Sequence, residues 1–147
     1  MELTVRKFEP KDAADGARLV KSFAGKTVSA EYLQRFLSNP ANYLIVAEAG
    51  NELAGFLLGY RLERLKEESF KFFIYEIDVV ENFRRRGVGT ALIEYAKNIV
   101  SRENMINAFV FTNYSNAGAV EFYKSTGAEI ENGDDLMFVY AERIRDL

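Results

Sequence analysis

The chain has 147 residues, enough for one domain with a continuous core, and its 48% of apolar and aromatic residues is not the composition of a disordered segment. A net charge of −3 argues against a generally basic surface for nucleic acid, while the absence of cysteine and histidine excludes thiolate nucleophiles, disulfide frameworks, Cys/His zinc sites and histidine triads. Any chemistry must run on carboxylates, hydroxyls, amines and backbone groups. No run approaches the roughly eighteen continuous apolar residues of a bilayer span. Met1-Glu2 opens without a basic or apolar leader pattern, so a cytoplasmic protein is expected. Repeats, low-complexity tracts and Pro/Gly/Ser linkers are not evident, and residues 1–147 are expected to form a single domain.

Leu3 to Phe8 alternates apolar and charged residues, as a half-buried first strand does. Pro10 and Asp12 suggest a turn and an N-cap for a helix over Ala13 to Phe23. Ser29 can cap a second helix running to Ser38, with Tyr32, Leu33, Phe36 and Leu37 as its apolar stripe, ended by Asn39-Pro40. Tyr43 to Ala49 and Glu52 to Leu62 read as strands joined at Gly50-Asn51, with Gly55 and Gly59 marking a bulge or a close backbone approach. The charged run Glu63 to Glu68 reads as a solvated loop, its alternative being an acidic lip for a cationic ligand.

The next stretch organises the rest. Phe70 to Val80 is rich in aromatic and β-branched residues, which suits a central strand covered on both faces. It exits through Glu81-Asn82-Phe83 into Arg84-Arg85-Arg86-Gly87-Val88-Gly89-Thr90. There Val88, Ala91, Leu92, Tyr95, Ala96, Ile99 and Val100 take up the spacing of one helical face. A strand thus delivers a basic, glycine-bearing turn to a helix N-terminus. Helix N-termini offer N–H groups without internal partners at the positive end of the macrodipole, and phosphate oxygens can accept from them. Gly87 and Gly89 let a bulky anion approach the backbone, and the three arginines add permanent positive charge. The same turn could also be a solvated basic loop. A dinucleotide fingerprint is excluded by Leu92 at its third glycine position, and a Walker loop by Gly89-Thr90.

Downstream, Ala108 to Thr112 reads as a strand, and Ser115 can cap a helix over Asn116 to Ser125 with Gly127 near its end. Ala128 to Glu131 and Leu136 to Ala141, split by Asn132-Gly133, read as a final hairpin. This order predicts a mixed α/β layer fold with a largely antiparallel sheet and one parallel neighbour reached through the helix after Gly87. Glu76 and Asp78, two residues apart, share one strand face with Cβ atoms roughly 6 to 7 Å apart. Charged groups inside so apolar a run are costly unless paired or functional. Either can pair with an arginine or cap a loop, and either could serve as a base that takes the proton of an ammonium group.

The stretch Val79 to Leu92, with Arg84-Arg85-Arg86-Gly87-Val88-Gly89, resembles the acetyl-CoA motif of the GCN5-related N-acetyltransferases, and Asn116 to Ala128 resembles their N-x-x-A-x-x-x-Y-x-x-x-G block. The likeness runs over roughly residues 43 to 140 and is most marked toward the aminoglycoside 3-N-acetyltransferase group, through Tyr43 to Ala47, Phe73 to Glu76 and the double arginine. It implies an α+β fold: a mixed, mostly antiparallel sheet of about six to seven strands flanked by about four helices. It also implies acetyl-CoA as donor, with the diphosphate on amides of Arg85 through Thr90 near Arg84. The pantetheine would pair with a strand splayed near Val79, through Ile77 and Val79, and touch Asn116. Glu76 is implied as base, with Asp78 departing from the usual small or apolar residue, and Tyr123 as general acid. The expected partner is a small-molecule amine, an aminoglycoside among the options, with no nucleic acid and no membrane. A peptide acceptor, a non-catalytic acyl-CoA-binding module and a homodimer stay open.

Overall fold

The computed structural model describes residues 2–131, 133–134 and 136–140, which fall into two compact units, 2–112 and the described part of 113–147. The first unit runs β1 (Leu3–Lys7), a 3-10 turn (Pro10–Asp12), α1 (Ala13–Ala24), α2 (Ala30–Ser38), β2 (Asn42–Ala49), β3 (Glu52–Glu63) and β4 (Phe70–Val79). A second 3-10 turn (Glu81–Phe83), α3 (Val88–Arg102) and β5 (Ala108–Val110) complete it. The second unit contains α4 (Ala117–Ser125). No helix among the described residues is long and apolar enough to cross a membrane.

The sheet has strand order β1-β2-β3-β4-β5, antiparallel from β1 to β4, with β5 parallel to β4. That parallel pair is reached through α3, as a crossover connection requires. Its two faces are read from the register. Leu44 opposes Leu58, which opposes Glu76, and Val46 opposes Phe56, which opposes Asp78. Leu44, Val46 and Phe56 form one core with Phe8, Leu19 of α1 and Leu37 of α2, so this is the face that α1 and α2 cover. The opposite face carries Ile45, Leu57, Ile77 and Val79 and packs toward α3; a Cβ added at Gly55 would stand 3.2 Å from Val88. Tyr43 donates a 2.7 Å hydrogen bond to Glu103 just beyond α3, and burial together with that carboxylate pushes its phenol up to about 12.

Several local expectations meet a specific physical outcome. Ser29 caps α2 by accepting from the Tyr32 N–H at 3.0 Å. Asp12 stands at the N-cap of α1 but makes no capping bond, because its buried carboxylate accepts from Arg6 (3.0 Å) and from the Glu9 N–H (2.8 Å). Burial pushes that carboxyl upward, yet these bonds and the Arg6 charge outweigh it and hold it below its usual range. Gly59 is a close approach: a Cβ there would collide with the buried Phe72 ring. Ser115 does not cap α4; Asn116 does, accepting from the Ala119 N–H at 3.1 Å, while the Ser115 hydroxyl donates to Asn113.

The strand count is five among the described residues, against six to seven expected. Of the expected final hairpin, the described residues 128–131 and 136–140 carry no strand, and Asn132, Asp135 and Ala141 lie outside the described residues. Alternating apolar residues supply a strand's composition, but a ladder exists only where a neighbouring backbone completes its hydrogen bonds.

Candidate active site

Two features of β4 set the geometry. Leu58 pairs with Glu76 and Gly59 with Ile74, so Tyr75 is an extra residue in β4, a β-bulge. The bulge brings Tyr75 round to the face of Phe73, and their rings meet at 5.9 Å. Glu76 and Asp78 also project to this α1/α2 face. Secondly, β5 pairs with β4 only at Phe72 to Ile74. From Tyr75 to Val79 the second edge of β4 has no sheet partner among the described residues, which is the splay that the resemblance implies.

At the end of that edge, the Val79 N–H donates to Asp78 Oδ1 at 2.8 Å and its carbonyl accepts from Arg84 Nε at 3.1 Å. Arg84 Nη2 also lies 3.9 Å from Asp78 Oδ1. The Val79 N–H and carbonyl, which the resemblance implies would pair with pantetheine, are thus held by the chain's own side chains. Among the described residues Glu76 makes no such commitment. Burial first and the nearby charge of Asp78 second raise its carboxyl above the ordinary carboxylate range.

The turn into α3 is open. Arg84, Arg85 and Arg86 are exposed, with Arg86 donating to the Asn82 carbonyl at 3.3 Å. Arg85 (φ 61) and Gly87 (φ 84) adopt left-handed conformations, and a Cβ added at Gly87 would meet nothing within 4 Å. Left-handed residues of this kind turn backbone N–H groups toward a common anion. The first intrahelical bond runs from the Ala91 N–H to the Gly87 carbonyl, so the N–H groups of Val88, Gly89 and Thr90 have no helical acceptor. No side chain caps this end and no acid stands in its first turn. An exposed, uncapped terminus ringed by arginines suits a diphosphate, and the unpaired β4 edge suits an extended amide-bearing arm. These residues fit acetyl-CoA.

Gly87→Ala tests the turn. A left-handed non-glycine residue costs about 1–2 kcal/mol, so the urea midpoint is expected to fall accordingly, with weaker CoA binding by calorimetry. An unchanged midpoint and affinity show that the turn relaxes without cost.

The second unit carries Asn116 and Tyr123 on one short helix, Asn116 as its N-cap and Tyr123 two turns along. Burial raises the Tyr123 phenol above its ordinary value. Its ring lies 5.4 Å from Phe122, and its carbonyl accepts from the Thr126 hydroxyl at 2.9 Å. The structure therefore brings Glu76, Ile77, Asp78, Val79 and the residues from Arg84 to Thr90 together in one unit, and Asn116 with Tyr123 in the other. Glu63 to Glu68 lies at the opposite end of the β3–β4 hairpin, about 20 Å from Glu76 by strand rise, with Glu67 paired to Arg64 at 2.7 Å. It is a solvated turn. Sequence reasoning missed Tyr60 and Tyr75 as neighbours of Glu76; only the bulge joins them, and nothing in the residue pattern announces its position.

Residues 13–128 match the family model described as Acetyltransferase (GNAT) family. The probable N-acetyltransferase san of Drosophila melanogaster is 32% identical over 65 residues, 44% of this chain and 35% of that protein. An uncharacterized N-acetyltransferase of Methanocaldococcus jannaschii, MJ1207, is 41% identical over 56 residues, 38% of this chain and 25% of that protein. The matches thus span about a third and a quarter of these relatives. Among solved structures, the aminoglycoside acetyltransferase meta-AAC0020 from an uncultured soil metagenomic sample superposes with a TM-score of 0.86 at 25% identity, over 96% of this chain and 97% of that one. AAC(6')-Iy, in complex with a bisubstrate analog of CoA and acetylneamine, shares the fold at a TM-score of 0.78 and 19% identity, over 98% and 100% of the two chains. The chain belongs to the acetyltransferase (GNAT) family, the N-acetyltransferases that draw their acetyl group from acetyl-CoA.

Proposed function

We propose that residues 1–147 act as one domain that acetylates the primary amine of a small-molecule acceptor by direct transfer within a ternary complex. The observation that carries this reading is the conjunction on one strand of an unpaired edge, an open anion-binding turn and a raised carboxylate on the face away from α3. Acetyl-CoA supplies the acyl group as an activated thioester. Amides of Arg85 through Thr90, with Arg84 and Arg86 beside them, would hold its diphosphate. Ile77 and Val79 would offer backbone groups to the pantetheine, Asp78 and Arg84 giving up the Val79 N–H and carbonyl they hold in the free chain. Asn116 would add its side-chain amide.

Glu76 takes the proton that makes the ammonium acceptor a nucleophile. Asp78 raises the Glu76 pKa by its charge and orders the strand end, being itself committed to Val79 and Arg84. Tyr123 donates a proton to the departing sulfur, its phenol kept protonated by burial. With no cysteine in the chain, a thiol-held acetyl intermediate is not part of the scheme. Aminoglycosides are one acceptor class to be tested, through a solved relative named for them, and a cytoplasmic setting, where acyl-CoA is kept, belongs to the same proposal.

The test is acetyl-CoA turnover, followed by thiol release, over a panel of aminoglycosides, polyamines, arylalkylamines and peptides. Acetylation of a small amine supports the reading. Selective acetylation of peptides moves the acceptor class, and tight CoA binding with no turnover on any amine identifies a non-catalytic acyl-CoA-binding module.

A further inference from the structure

Among the described residues of the first unit, Glu76 does not stand in an acidic pocket. The strand positions that share its face include Asn42, Leu44, Val46 and Glu48 on β2, Phe56, Leu58 and Tyr60 on β3, and Phe73, Tyr75 and Asp78 on β4. Two other carboxylates lie on these positions and both are engaged, Glu48 by Arg6 at 3.2 Å and Asp78 by the Val79 N–H with Arg84 close by. What surrounds Glu76 instead is aromatic. The Tyr75 ring meets Tyr60 edge-on at 5.7 Å and Phe73 at 5.9 Å, and Phe73 in turn stacks on Phe109 at 5.0 Å. Tyr75 is held by this packing and yet 61% exposed, so a large part of its ring is open to a ligand.

The wall continues onto α2. A cleft of about 300 Å³ is lined by Tyr32, Arg35, Phe36, Asn39 and Asn42, and Asn42 is the register partner of Tyr60. Tyr60 meets Tyr75 at 5.7 Å and stands on the same strand face as Leu58, the register partner of Glu76; its phenol is raised by burial first and then by Tyr75, Tyr32 and Glu76. The one cation lining that cleft among the described residues, Arg35, lies over the Tyr32 ring at 5.3 Å and repels further positive charge.

Resting on the transferase reading above, we infer that the acceptor site selects an amine with a single ammonium group on an aromatic or apolar body, the body lying against Tyr75 and Tyr60 and the ammonium beside Glu76. Ring faces attract one cation and bury one apolar surface. A polycation needs several carboxylates, and this face offers one uncommitted. The site therefore discriminates against acceptors with many ammonium groups, aminoglycosides and polyamines included, in favour of arylalkylamines.

Calorimetric titration of the CoA-loaded protein with phenethylamine, spermidine and neamine reads this preference directly, and kcat/KM over the same three amines reads it in turnover. Phenethylamine is expected to bind at least tenfold more tightly than the other two, with little salt dependence. Tyr75→Leu is expected to weaken phenethylamine binding about tenfold and raise KM with little change in kcat, while Tyr75→Phe keeps wild-type affinity, since the ring rather than the hydroxyl makes the contact. CoA affinity is the control for folding and should not move in either variant. Tenfold tighter binding of spermidine or neamine, an unaltered affinity in Tyr75→Leu, or no binding of phenethylamine each overturns the inference. Good turnover of a polycation overturns it while leaving the transferase reading intact, whereas monoamine binding with no turnover of any amine supports the wall and defeats the transferase.

Discussion

Glu76→Gln is expected to lower kcat/KM near neutral pH by about 10²–10⁴, the usual contribution of a positioned base, while CoA affinity stays unchanged. The argument rests on the proton. An alkylammonium titrates near pH 10 and must lose a proton before it can attack, and Glu76 is the carboxylate on the α1/α2 face that the chain has not already engaged. Burial and the Asp78 charge raise its pKa, so the base is ionised above that raised value and is lost as pH falls through it. The wild type should therefore show an acid limb in kcat/KM. Asp78→Asn removes the like charge, lowers the Glu76 pKa and should move that limb to lower pH. In Glu76→Gln the limb should vanish, and a limb that persists unshifted there assigns the base to another group.

The second large effect belongs to Tyr123. Tyr123→Phe removes one oxygen and keeps the ring, so it separates proton donation from packing on α4. Turnover is expected to fall by about 10²-fold or more, with CoA affinity and the urea midpoint at wild-type values. Because burial raises the phenol above its ordinary value, it stays protonated through neutral pH, and the wild type should lose activity only as pH rises through that raised value. Normal turnover in the phenylalanine variant reduces Tyr123 to an aromatic residue packed beside Phe122.

Much of this was legible before any coordinates. The alternation in β1 and β2, the Ser29 cap, the Gly50-Asn51 turn and the periodicity of α3 are local signals, and local propensity and burial agree there. The glycine-arginine turn was legible for the same reason, since Gly87 and the arginines act through backbone conformation and charge that need no distant partner. Expectations failed where a second group competed for the same atoms. Asp12 was read as a helix cap, but Arg6 claims its carboxylate from across a loop. The resemblance implies that Val79 offers its backbone to pantetheine, and in the structure its N–H is held by its own neighbour Asp78. A last hairpin was read from alternation, and no partner strand completes it in the described residues.

By itself the sequence determined the order of strands and helices, the glycine-arginine entry to α3 and the choice of carboxylates over thiols or imidazoles, because composition and short-range periodicity act residue by residue. Only the tertiary structure decided which face each carboxylate occupies and which aromatic rings surround it. That depends on a single extra residue in β4, and one residue of register turns a strand's side chains to the other face of its sheet.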